Sequence, residues 1–103
     1  MENLNIFYTT CSDIKFARKL SNKLLSDRMA NCVNIIKNVE SFFLDNSKIN
    51  SVKEIVLIIK TTKNHKNIEM YLDSIHPYDI PFIGKITVES VNKKYLEWIN
   101  KNL

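Results

Sequence analysis

Histidine, tyrosine and aspartate stand together in "HPYDIP" at 76–81, bracketed by the only two prolines in the chain. An imidazole can ligate copper or zinc, or carry a proton near neutral pH, so His76 is the first residue whose chemistry needs placing. Proline fixes its own φ and turns the preceding residue away from the helical region. His76 should therefore end a helix, Ile80 should be extended, and the stretch should act as a rigid corner that positions His76 and Tyr78. Tyr78 and Asp79 are poor soft ligands and nothing adds a second ligand at helical spacing, so helix capping and metal ligation both stay open for His76. Cys11 falls at the head of an expected helix, where the dipole favours thiolate. Cys32 opens an expected strand and reads as a small packing residue. "KTT" at 60–62 puts Lys60 and Thr61 where a strand meets a helix start, a natural anion-binding position; the plainer alternative is a capping Thr62 and a solvated Lys60.

No nucleophile, base and orienting group can be assembled from these residues, so an enzyme is not expected, and a hydrolase using Cys11 or His76 is the weakest alternative. A single glycine, Gly84, excludes a glycine-rich phosphate loop. The two cysteines form no CxxC pair and no disulfide framework, which fits a reducing compartment. The amino terminus lacks a basic region followed by an apolar run, and no apolar stretch approaches the roughly 20 residues that span a bilayer. A cytoplasmic protein without a membrane partner is expected. The net charge of +4 is spread from Lys15 to Lys101 instead of forming a block, so no nucleic-acid partner is expected either.

The elements that must position these residues follow from patterning. "NIFYTT" at 5–10 has strand composition, and Ser12 with Asp13 supplies an N-cap and a first-turn acid. Ile14, Ala17, Leu20, Leu24 and Leu25 then mark one side of a helix over 14–28. "CVNIIKNVESFFL" at 32–44 and "SVKEIVLIIKT" at 51–61 read as strands joined through "DNSK". Thr62 can cap a second helix carrying Ile68, Tyr71, Leu72 and Ile75 up to Pro77. "FIGKITV" at 82–88 is a fourth strand, and "NKKYLEWINKNL" is a short amphipathic helix in which Trp98 packs at a cleft or subunit border.

This βαββαβ order is the ferredoxin-like α+β arrangement, with both crossover helices on one face of an antiparallel sheet and a C-terminal helix added; residues 1–103 form one domain. The fold alone decides no function. Acyl-phosphate hydrolysis would need backbone amides and an arginine after the first strand, which "TTCSD" lacks. RNA binding would need aromatics on the third strand, which "EIVLIIKT" lacks. The run Ile55 to Ile59 is apolar without alternation, so both faces of that strand need cover although two helices cover only one. Packing of subunits on the second face, as a trimer, meets that need.

"CVN" at 32–34, "KTT" at 60–62, "HPY" with Pro81 downstream, and "YLEW" at 95–98 together resemble the CutA proteins, also called divalent-cation-tolerance proteins. The match runs in register from about Ile6 to Leu103, with the serine before the hairpin at Ser41 and the acid after it at Glu54. The resemblance implies a ferredoxin-like fold, a tight homotrimer, and a cytoplasmic role tied to copper and other divalent metals by binding or signalling, with no known reaction. Three departures bear on the site. Asp45 and Ser47 stand where the family hairpin commonly carries tryptophan and glycine; Phe82 replaces a glutamate usual after Pro81; and Thr9 stands where some members have a cysteine. A Cys, His and Glu metal set would keep only His76, so copper or another divalent ion should bind weakly and no cofactor is obligatory. The alternative is a small-ligand regulatory sensor resembling the trimeric nitrogen-signalling proteins, binding an anion or nucleotide in inter-subunit clefts. Lys60, Thr61, His76, Tyr78 and Trp98 are the expected cleft residues, with His76 the metal candidate.

Overall fold

A computed structural model describes residues 3–102. The elements run β1 (Asn5–Cys11), α1 (Ile14–Ser26), β2 (Cys32–Asp45), β3 (Lys48–Thr61), α2 (His65–Ile75), β4 (Ile83–Thr87) and α3 (Lys93–Lys101). The sheet is antiparallel throughout, in the order β2-β3-β1-β4. The expected α+β order is thus realised; Leu103, expected in the last helix, lies outside the described residues.

Strand alternation builds the core. Phe7, Thr9 and Cys11 of β1 pair with Ile59, Leu57 and Ile55 of β3, and all six are buried. Ala17, Leu20 and Leu24 of α1 join Ile68 and Leu72 of α2 against them, so both helices share one face of the sheet. Each fully buried leucine or isoleucine there contributes about 1.5–3 kcal/mol of transfer free energy. The other face carries Ile6, Tyr8 and Thr10 of β1 with their partners Lys60, Ile58 and Val56. At one end of that face α3 settles with Ile99 buried and Tyr95 beside Lys60.

Both helix starts differ from the sequence expectation. Asp13, not Ser12, caps α1, its carboxylate accepting from the Lys15 N–H at 2.9 Å. Asn64, not Thr62, caps α2 and accepts from the Asn67 N–H at 2.9 Å. The start slips because the Thr61 hydroxyl already turns the chain, accepting from the Lys63 N–H at 3.0 Å. Helix α1 also stops at Ser26, followed by Arg28 at φ 57°, and Leu25, about 100° round the helix from buried Leu24, is 42% exposed instead of buried.

The hairpin between β2 and β3 is longer and tighter than expected. Asp45 pairs with Lys48, so only Asn46 and Ser47 form the turn, with φ of 51° and 63°. Two consecutive positive φ values define a type I′ turn, whose twist matches the flanking strands. Below the turn, a β-bulge lies between Ile36 and Val39, with Asn38 at φ 59°. One extra residue on β2 keeps Val39, Ser41 and Phe43 on the same face as Ile36. The hairpin projects beyond the helices as an arm, which stretches the molecule to 46 × 26 × 24 Å.

Candidate functional site

The rigid corner forms as expected. The His76 N–H closes α2 on the Leu72 carbonyl at 2.9 Å, and the residue itself is extended, with φ −70° and ψ 137°. Its ring is held at both nitrogens. Nε2 lies 2.8 Å from the Thr10 carbonyl, and Nδ1 lies 3.1 Å from the Tyr78 backbone nitrogen. A carbonyl only accepts and a backbone N–H only donates, so Nε2 donates and Nδ1 accepts. Its ring also packs on those of Tyr78 and Phe16, with centroids 4.9 and 6.0 Å away.

Held this way, the corner carries Tyr78 across to β3, where its hydroxyl donates to Glu54 Oε2 at 2.8 Å. Burial by itself would raise the Glu54 pKa. The hydrogen bond from Tyr78, with the Ser41 and Thr10 hydroxyls beside the carboxylate, outweighs burial, and the carboxyl is held below its ordinary range. Tyr78 moves the other way: burial, then its bond to Glu54 and that carboxylate's charge, push the phenol up to about 12. A stabilised anion and a neutral phenol therefore face one cleft of about 520 Å³, which Thr10, Ser41 and Glu54 line together with Phe43, Val52, Ile80 and Phe82. Phe82 packs edge-on against Tyr8, with ring centroids 5.9 Å apart. Its ring can lie there because the residue beneath is Gly84, on which a Cβ would stand 2.6 Å from the Phe82 ring.

Of the residues expected at an inter-subunit cleft, His76 and Tyr78 come together within one chain, and Lys60, Thr61 and Trp98 lie elsewhere in it. Lys60 lies six residues beyond Glu54 on β3, roughly 20 Å at ~3.3 Å per residue. There its ammonium sits 5.6 Å from the Tyr95 ring centre. Trp98 is exposed on α3 and packs on Tyr95 at 5.6 Å. Thr61 faces no cleft in this chain: it is fully buried, and its hydroxyl donates to the Met29 carbonyl at 2.6 Å. Cys11 is likewise not the activated thiol expected at a helix start. It is buried, its Sγ donates to the Asp13 carbonyl at 3.6 Å, and burial outweighs that bond to push the thiol up, with the Asp13 and Glu54 charges adding to the rise.

The metal role expected of His76 does not fit this geometry within one chain. Coordination needs a free ring nitrogen, and both are engaged. Thr9 and Phe82, the positions compared for a missing cysteine and glutamate, lie on opposite sides of the sheet: Thr9 is buried with the helix-facing residues, while Phe82 packs on Tyr8. Among the described residues, no group of three or more His, Cys, Asp or Glu side chains is placed to hold a metal ion. The centre of the site is Glu54 with Ser41, which the sequence marks only as landmarks on either side of the hairpin. Register could have found them: counting back from a two-residue turn, without interruption, puts Val39 opposite Glu54 and Ser41 on the same face.

Comparison with known proteins agrees with this architecture. The profile of the family described as "CutA1 divalent ion tolerance protein" matches residues 5–102. The divalent-cation tolerance protein CutA of Thermococcus kodakarensis is 33% identical over 99 residues, covering 95% of this chain and 94% of that one. Its namesake from Pyrococcus horikoshii is 35% identical over 95 residues, covering 91% and 92%. The crystal structure of CutA1 from Ehrlichia chaffeensis superposes with a TM-score of 0.93 at 32% identity, over 99% of this chain and 96% of that one. A family match that runs nearly from end to end, on a fold that superposes as closely as this, makes the chain a member of the CutA family of divalent-ion tolerance proteins.

Proposed function

We propose that this chain serves divalent-ion tolerance as a homotrimer that binds its ligand without transforming it, and that Glu54 is the charge its cleft presents to a cation. The observation that carries the reading is the carboxylate itself, which accepts from the Tyr78 hydroxyl at 2.8 Å, lines the cleft beside the Ser41 and Thr10 hydroxyls, and makes no ion pair with lysine or arginine among the described residues. A binding role suits a site whose phenol is held neutral, with Tyr78 pushed up to about 12, and whose imidazole has both ring nitrogens engaged. A bare divalent ion finds one carboxylate here, so copper binding should be weak.

Subunit packing is favoured by what the chain leaves uncovered. Phe42, Phe43, Leu44, Ile49 and Val52 on the arm are exposed, as are Phe82 and Ile86 at the sheet's far edge. β2, 14 residues long, is an edge strand with one side unpaired. A closed threefold assembly covers both faults and walls the open side of the cleft. A second reading, as a sensor of a small organic ligand, is favoured by the apolar lining around Glu54. Light scattering should give three times the 12.1 kDa chain mass. In calorimetry, cation binding by the wild type should disappear in Glu54→Gln. A monomer at micromolar concentration, or cation binding unchanged in that variant, would overturn the proposal.

A further inference from the structure

We propose that the cleft takes an organic cation, an ammonium group on an apolar body, and that Phe82 sets this preference over a bare metal ion. The inference rests on Glu54 as the anionic anchor and adds the class of ligand.

The Tyr78 hydroxyl donates to Glu54 at 2.8 Å, and the Ser41 and Thr10 hydroxyls line the same cleft; all are neutral, so they support the charge without cancelling it. A carboxylate has about four lone-pair directions, so one further N–H donor can be accepted. Lys53 also lines the cleft, yet it makes no ion pair with Glu54 among the described residues. The surrounding walls decide what can follow the charge in. Phe43, Val52, Ile80 and Phe82 offer no ligand atom to a metal, which on entry would exchange its waters for a single carboxylate. The same walls suit an alkyl or aryl body, and the cleft's 520 Å³ is in the range of small-molecule sites. Phe82 and Phe43 add aromatic faces, which attract ammonium groups. Phe82 is also fixed in place. Gly84 leaves room beneath its ring and Tyr8 meets its edge, so the wall is preformed.

The test is calorimetry on the intact protein with four probes: benzylammonium, ammonium alone, benzyl alcohol and copper(II). Benzylammonium should saturate the site, with ammonium and benzyl alcohol each at least about tenfold weaker, because each lacks half of the recognition. Phe82→Ala should weaken benzylammonium about tenfold and leave copper unchanged. Phe82→Leu keeps the apolar bulk if the alanine variant fails to fold, and should weaken it severalfold. Phe82→Glu, checked for wild-type mass by light scattering, should raise the ratio of copper to benzylammonium affinity at least about tenfold by adding a second carboxylate. Wild-type benzylammonium binding in both Phe82→Ala and Phe82→Leu, or tighter copper than benzylammonium in the wild type, would overturn the inference. The reading of Glu54 would survive that result if Glu54→Gln still abolished copper binding. If no probe lost affinity in Glu54→Gln, the reading itself would fall.

Discussion

The two halves of β3 differ in apolar content and in surroundings. From Ile55 to Thr61 the strand lies between β1 and β2 under two helices, and Leu57 is 0% exposed. From Lys48 to Lys53 it pairs only with β2, and Ile49 is 78% exposed. The inner half carries the unbroken apolar run Ile55 to Ile59, whereas the outer half offers only Ile49 and Val52, which the helices do not reach. Glu54 stands at the boundary, where packing from the core fixes one side and the other side opens to a cleft. That position explains how a carboxylate can be both held by hydroxyls and accessible.

The largest effect should come from probing the halves with matched deletions. Leu57→Ala should cost about 2–5 kcal/mol in denaturant unfolding, as buried leucines do. Ile49→Ala should cost about 0.5 kcal/mol or less in a dissociated chain, and more at concentrations where subunits associate. Equal costs at all concentrations would show that the outer half is simply surface.

Next in size is the boundary itself. Tyr78→Phe removes a hydrogen bond to a carboxylate, which after allowance for solvent exposure should lower stability by about 1 kcal/mol or less. Its pH signature is more specific. Glu54 titrates lower in the folded chain, so its contribution is present above its ordinary pKa near 4.5 and fades as pH falls through the lowered value. Tyr78 titrates higher, from 10 to about 12, so its contribution is full below pH 10 and is lost as pH rises through about 12. Tyr78→Phe should weaken both dependences, measured as melting temperature against pH. The alkaline loss should not vanish, because the Tyr71 hydroxyl donates to Asp27 and is also pushed up to about 12. An unaltered acid limb would detach Tyr78 from Glu54.

The smallest effect lies at the arm's tip. Ser47 adopts φ 63°, a conformation costing an L-residue about 1–2 kcal/mol that glycine adopts freely. Ser47→Gly should therefore raise stability by a few tenths to about 1 kcal/mol, less than the strain because glycine also gains freedom in the unfolded chain. No gain would mean that the arm's turn is not limiting.

Much of the fold was legible because its signals are periodic. Ala17, Leu20 and Leu24 mark the buried stripe of α1, and the unbroken run from Ile55 to Ile59 marks a strand needing cover on two sides. Helix starts were less legible: Ser12, Asp13, Thr62 and Asn64 can all cap, and only tertiary contacts choose among them. The corner at 76–81 could be read from its prolines, but not that both His76 nitrogens would be engaged, since Thr10 is 66 residues away. Glu54 carries no local signature, being one acid within an apolar strand; its meaning comes from Tyr78 in the loop after α2 and from Ser41 and Thr10 on two other strands.

The bulge at Asn38 aims the arm. A strand shows alternate residues to opposite sides, so Ile36 and Val39, three positions apart, share a face only because the bulge absorbs one residue. Loss of a single codon there would bring Lys37 opposite Ile55 and leave Val39 opposite Glu54, so Ser41 and Phe43 would keep their place beside Glu54. What the extra residue adds is bend and twist, and a one-residue deletion would straighten β2 and re-aim the arm without changing which side chains wall the cleft.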